Sequence, residues 1–122
     1  MIDHIGLKVK SYSASKKFYA AALAPLGFKG EIDDKSKSAG FGAPGSPELW
    51  ISEGEPSGVI HLAFQSADPG AVEAFYRAAM ESGGKDNGGP GPRPHYHANY
   101  FAAFVLDPDG NNVECVCHRP QK

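Results

Sequence analysis

Residues 3–28, DHIGLKVKSYSASKKFYAAALAPLGF, return in altered form at residues 60–85, IHLAFQSADPGAVEAFYRAAMESGGK. A slide of 57 positions pairs His4 with His61, Ala14 with Ala71, Phe18 with Phe75, Tyr19 with Tyr76, Ala21 with Ala78, Ala22 with Ala79 and Gly27 with Gly84. Those seven identities in 24 ungapped positions stand against the roughly one or two that residue frequencies alone would give. The chain reads as two copies of one supersecondary unit, each opening with a histidine on an apolar strand.

A chain of 122 residues is long enough to bury a sizeable core and falls in the common size range of one domain. Two half-length modules that share a core fit this length: module one over 1–53, a linker over 54–58 and module two over 59–122. The formal net charge of -2, with Lys and Arg scattered rather than striped, argues against a nucleic-acid partner. No apolar run approaches the ~20 residues needed to cross a bilayer, and the N-terminus lacks a signal-peptide layout. The expectation is a soluble, cytoplasmic protein with no membrane partner. Cys115 and Cys117 sit two apart in an apparent strand, where a bridge would be strained, and read as reduced core thiols.

Outward from the repeat, Ile2 to Lys10 alternates, with Ile5, Leu7 and Val9 on one face and His4, Gly6 and Lys8 on the other. That is a strand with one face on a core. Ser11 or Ser13 caps a helix running to about Leu23, which Pro25 and Gly27 stop. Phe28 to Asp33, Ser38 to Ala43 and Glu48 to Ser52 read as three shorter strands. Glu53 to Gly58 is a polar linker. Val59 to Gln65 repeats the alternation with His61 on the less apolar face, and Asp68-Pro69 starts a second helix that Gly83 and Gly84 end. A short strand near Lys85 to Asn87 leads into GGPGPRPHYHANY, too rich in Gly and Pro for regular structure. Tyr100 to Leu106 and Asn112 to His118 close the chain as a hairpin around Asp107-Pro108-Asp109-Gly110. Each half is then strand, helix and three strands.

Strand parity places His4, His61 and Glu114 on the less apolar faces of their strands, with Val113, Cys115 and Cys117 opposite Glu114, Val116 and His118 in the last one. A strand His or Glu taken alone is more often structural, but the histidine is duplicated at equivalent positions. If both modules turn that face toward one cleft, two imidazoles and a carboxylate converge. Such a trio suits a divalent ion (Fe, Mn, Ni, Co or Zn) with positions left open for a substrate. The loop before the hairpin gathers Arg93, His95, Tyr96, His97, Asn99 and Tyr100. In an extended stretch His95 and His97 share a side and could touch a substrate or serve as general base. Tyr96 and Tyr100 could stack on an organic ligand; the alternative is a surface loop held by hydrogen bonds. Trp50 either lines the cleft or belongs to the core. The Phe18-Tyr19 and Phe75-Tyr76 pairs read as helix-to-sheet packing.

The paired modules, the histidine opening each, and Asp107-Pro108-Asp109-Gly110-Asn111 with Glu114 four after the glycine resemble the vicinal oxygen chelate superfamily, which includes glyoxalase I, extradiol dioxygenases, fosfomycin-resistance transferases, methylmalonyl-CoA epimerase and bleomycin-resistance proteins. The resemblance covers nearly the whole chain. It implies an α+β fold of two tandem βαβββ modules forming a cupped mixed sheet, with helices on the convex side, around a divalent metal held by His4, His61 and Glu114. The family's remaining ligand position lies in the fourth strand. Aligning Gly45 with Gly110 puts Leu49 there and throws Glu48 onto the other face, unless a different turn length restores it.

Three functions compete at this point. The leading expectation is a metal-dependent glyoxalase- or dioxygenase-like enzyme for a small organic substrate, with Glu114 or His97 as base and Arg93, His95, Tyr96, Tyr100 and Trp50 contacting the substrate. Chelated by two oxygens, such a substrate would react through a stabilised enolate or oxyanion. The second is a metal-free drug-binding protein of bleomycin-resistance type, and the third a duplicated scaffold with a vestigial cleft. The resemblance also implies a homodimer, with the modules either closing within one chain or swapping between two.

Overall fold

The Ser11 hydroxyl accepts a hydrogen bond from the Ala14 amide at 3.3 Å, and this cap opens helix α1, Tyr12–Leu23. Asp68 does the same for Ala71 at 2.8 Å and opens helix α2, Pro69–Glu81. The structure, a computed structural model, describes residues 1–119, so the last three residues assigned to module two lie outside it. Strands β1 (Ile5–Val9), β2 (Lys29–Asp33), β3 (Ser38–Ala43) and β4 (Ser46–Glu53) form one sheet in the order β1-β4-β3-β2. Strands β5 (His61–Gln65), β6 (Lys85–Asp86), β8 (Phe101–Leu106) and β9 (Asn112–Cys117) form a second in the order β5-β9-β8-β6, with β7 (Gly91–Pro92) also on β8. In each sheet the strand before the helix runs parallel to the last strand of its module, which a connection longer than a hairpin turn permits.

The expected strand, helix and three strands therefore holds for the first half. In the second half four strands follow the helix, because part of the Gly/Pro-rich loop does pair. Gly91 and Pro92 lie opposite Ala102 and Phe101; proline is tolerated there because β7 is an edge strand. His4 immediately precedes β1 instead of lying within it.

One apolar cluster joins the modules: Leu7, Val9, Phe18, Tyr19, Ala22, Leu23, Phe41, Leu49 and Ile51 from the first, Leu62, Val72, Phe75, Ala79, Val105, Val113, Cys115 and Cys117 from the second. Each large side chain buried there contributes roughly 1.5–3 kcal/mol. Both cysteines are free and buried, and burial pushes the Cys115 thiol up to about 12. Phe18, Tyr19 and Phe75 are fully buried, while Tyr76 is half-buried and its hydroxyl donates to Asp86. The repeated aromatic pairs are thus packing residues, with hydroxyls put to separate uses.

Tyr19 also bonds across the modules. Its hydroxyl donates to the Asp107 carboxylate at 2.5 Å, which further accepts from the Asp109 amide, the Asn111 amide and the Asn111 side chain, each at 2.9 Å. The DPDGNN turn is built around this buried carboxylate. Its neighbour Asp109 takes the Lys10 amide at 3.3 Å, fastening the end of β1 to the same turn.

Ser15 carries the one buried side-chain oxygen or nitrogen without a hydrogen-bond partner among the described residues. Its repeat counterpart is Val72, also fully buried. An unpaired buried hydroxyl costs about 1–3 kcal/mol. Ser15→Ala is therefore expected to raise stability by about 1 kcal/mol and to move the urea midpoint up at constant slope.

Candidate functional site

The alternation of β9 sends Val113, Cys115 and Cys117 into the shared core and leaves Glu114 and Val116 on the opposite, open face of the second sheet. Glu114 is nevertheless only 1% exposed. Ala102, Phe104 and Val116 form an apolar floor, with Tyr100 packed against it. Phe104 lies directly across from Glu114 on β8, and Ala63 directly across on β5. A carboxylate so placed needs polar partners, and it has two. His61 Nε2 lies 2.8 Å from Glu114 Oε1, and the Tyr100 hydroxyl donates a short hydrogen bond to Oε2. Burial first, and then the bond to Glu114, push the Tyr100 hydroxyl up to about 12, so at neutral pH it is a proton donor. His61 retains a 53% exposed side chain. The trio thus has a buried anionic base plate and an accessible imidazole.

Around Tyr100 stands a ring cluster. Its centroid is 5.1 Å from Tyr96, 6.2 Å from His97 and 5.2 Å from His118. The loop that carries them is a turn and not an extended stretch: the Tyr96 and His97 amides both donate to the Arg93 carbonyl. Consequently His95 and His97 do not act as a pair, since His95 packs on Tyr96 at 4.3 Å while His97 faces Tyr100 and His118. Arg93 braces the loop, its guanidinium donating to the carbonyls of Gly89 and Gly91 and lying 5.3 Å from the Phe104 ring centroid. Asn99 is exposed.

On the first sheet the strand pairing corrects the sequence alignment. Ile5 pairs with Leu49 as its repeat counterpart Leu62 pairs with Val113, and Gly6 pairs with Trp50 as Ala63 pairs with Glu114. Trp50, and not Leu49, is therefore the counterpart of Glu114. Leu49 is a core residue at 1% exposure. The displacement arises at a β-bulge: Phe41 pairs with Leu49 but Gly42 with Pro47, leaving Glu48 as the extra residue. Only glycine fits at 42, where a Cβ would lie 2.4 Å from the Ser46 carbonyl oxygen. Trp50 is half-buried on the open face, with its indole laid on Gly40, so the core placement is also overturned. Glu48 lines a cavity of about 160 Å³ together with His4, Ile5, Leu62, Ala63 and Phe64. This cavity spans the outer edges of β1 and β5, which pair with no further strand among the described residues.

The sequence profile of the Glyoxalase/Bleomycin resistance protein/Dioxygenase superfamily matches residues 1–115. The chain belongs to this superfamily. Among solved structures, a glyoxalase/bleomycin resistance protein from Albidiferax ferrireducens is 28% identical, covers 97% of this chain and 98% of its own, and superposes with a TM-score of 0.80. A glyoxalase/bleomycin resistance protein/dioxygenase family enzyme from Burkholderia phytofirmans shares the fold at 19% identity, 97% and 98% coverage and a TM-score of 0.72. So does a glyoxalase-related enzyme from Fulvimarina pelagi at 18% identity, 96% and 87% coverage and a TM-score of 0.72. A search of curated proteins returns no match.

Set against the metal that this glyoxalase superfamily resemblance implies, the donor set fits in part. His61 and Glu114 are in contact and have the right chemistry, imidazole with carboxylate, for a borderline divalent ion. His4 is apart from them: its imidazole is 56% exposed and 2.7 Å from Asp3. No group of three such ligands forms among the described residues. Two contributors to the glyoxalase-like face had no role assigned from sequence. Phe104 was legible from the alternation of β8 with Tyr100 and Ala102. His118 was already on the Glu114 face but reaches Tyr100 only through the folded loop.

Proposed function

We propose that this chain is a small-molecule enzyme of the glyoxalase/dioxygenase type whose reacting groups are Glu114, His61 and Tyr100. The observation that carries this reading is the nearly solvent-free Glu114 carboxylate held between an accessible imidazole and a protonated phenol. Such a carboxylate is a positioned proton acceptor, and the proton it accepts can be shared with His61. Tyr100 stands ready to turn its hydroxyl from Oε2 to an oxygen of the substrate that gains negative charge. His97, exposed on the loop and without a hydrogen bond to Glu114, serves substrate contact better than proton transfer, alongside Tyr96 and His95; Arg93 serves by holding the loop. A divalent ion bound by His61 and Glu114, with His4 as the third ligand, would supply Lewis-acid polarisation of paired substrate oxygens. The active form in this reading is a homodimer, since Ile2, shortly before β1, and Val59 and Ile60, just before β5, are exposed apolar residues. Sedimentation equilibrium at micromolar concentration is expected to give the dimer mass, and a stable monomer would count against it.

Metal analysis tests the reading. Tag-free protein, dialysed against Fe, Mn, Ni, Co or Zn, is expected to retain one ion per chain, and His61→Ala to lose most of it. Wild type that retains none and tolerates His61→Ala would favour the second reading, a metal-free ligand-binding protein. That alternative has its own support: the first sheet carries Trp50 where the second carries Glu114, giving the open faces an aromatic surface as well as a carboxylate.

A further inference from the structure

The open face of the first sheet is paved with glycine around its single indole. Trp50 lies between Gly6 on β1 and Gly40 on β3, its direct cross-strand partners. On the Gly40 side the indole lies against the backbone: a Cβ there would come within 2.9 Å of three indole carbons. On the Gly6 side a Cβ would meet nothing within 4 Å, so there is free space directly beside the ring. No aromatic side chain stacks on Trp50 among the described residues. One step further along the same face are Lys8 and Ser52, also cross-strand partners. Lys8 Nζ donates to the Ser52 hydroxyl at 3.2 Å, and no carboxylate pairs with it among the described residues.

We infer that this surface is a binding subsite for a planar aromatic carboxylate. The ring stacks on the free face of Trp50 and extends over Gly6, where any side chain would obstruct it. The carboxylate points toward the ammonium of Lys8 and the hydroxyl of Ser52. Lys8 and Ser52 stand on one side of the indole only, which fixes the direction in which the ligand lies. The inference rests on the reading of the open faces as the ligand side of the molecule, but it uses no residue of the Glu114 trio.

The protein's one tryptophan reports occupancy directly. Excitation of Trp50 during titration with benzoate is expected to show saturable quenching, with the neutral isostere benzamide binding at least tenfold more weakly. Lys8→Met, which keeps the aliphatic stem, is expected to weaken benzoate at least fivefold while leaving benzamide unchanged. A Cβ at position 6 has open space around it, and Gly6→Val is expected to abolish saturable binding of both, with an unchanged circular dichroism spectrum. Linear quenching, equal affinity for benzoate and benzamide, or indifference to Lys8→Met would overturn the subsite. Glu114→Gln is expected to titrate like wild type, which keeps the two readings separable. Benzoate binding by a protein that retains no metal sinks the enzyme reading alone, and metal retention without saturable quenching sinks this subsite alone.

Discussion

Glu114→Gln is expected to lower kcat/KM by ~10²–10⁴, the range general acid–base catalysis contributes, on whatever substrate a panel of small carbonyl and aromatic oxygen compounds identifies. The substitution is nearly isosteric. The amide oxygen of glutamine still accepts from Tyr100 or from His61, so the floor of Ala102, Phe104 and Val116 need not rearrange. What is lost is the negative charge and the basicity. Unfolding measured in urea is therefore expected to change little while turnover collapses, and metal retention is expected to fall with it because one anionic ligand is gone. A decrease smaller than tenfold at intact stability would remove Glu114 from the chemistry and leave it as a buried brace for His61 and Tyr100. Tyr100→Phe supplies the contrast: it leaves the carboxylate charged and deletes only the donor.

The largest stability effect belongs to Asp107→Ala, expected to cost about 4 kcal/mol by the cost of breaking hydrogen bonds to a buried charged group. Four donors lose their acceptor at once: the Tyr19 hydroxyl, two backbone amides and the Asn111 amide group. The damage is not confined to the turn, because the Tyr19 bond ties α1 of the first module to the β8-β9 hairpin of the second. Equilibrium urea unfolding measures this directly, and a loss under 1 kcal/mol would show that the turn holds itself by backbone geometry alone.

The same contact gives a pH dependence. Burial first, and then the Asp107 charge, hold the Tyr19 hydroxyl far above its ordinary value of 10, and Tyr12 is pushed up to about 12 by burial and Asp34. For a group whose folded pKa is raised, the unfolded chain loses its proton first. The contribution to stability is then complete below about pH 10 and is lost as the pH climbs toward the folded values. Thermal scans are expected to show Tm steady to about pH 9.5 and falling above it, with a shallower fall in Tyr19→Phe from a lower starting point.

Much of the fold could be read along the chain because it depends on local rules. Ser11 and Asp68 cap helices, Gly27 stops the first, and period-two alternation sorts Leu7, Val9, Leu62, Val113 and Cys115 inward. These signals act within a few residues and need no partner to be legible. The duplication added what local signals could not, by showing that His4 and His61 occupy equivalent places. Reading failed where one residue of register mattered. The bulge at Glu48 moves β4 by one position, and the turn alignment that matched Gly45 with Gly110 had no means of sensing it. It failed again in the Gly/Pro-rich loop, where the turn on the Arg93 carbonyl separates His95 from His97.

By itself, then, the sequence determined the two modules, the helices and their caps, and the face of each strand on which His61 and Glu114 would lie, because those properties follow from periodicity and spacing. Only the tertiary structure decided which of them meet. Contact between His61 and Glu114 depends on the parallel pairing of β5 with β9, and the Tyr100 bond depends on a loop folding back over that sheet. Trp50 stands in the place of a second carboxylate because a bulge closed by Gly42 sets the register of β4. Each is a relation between residues distant in the chain, fixed by strand pairing and packing and not by local propensity.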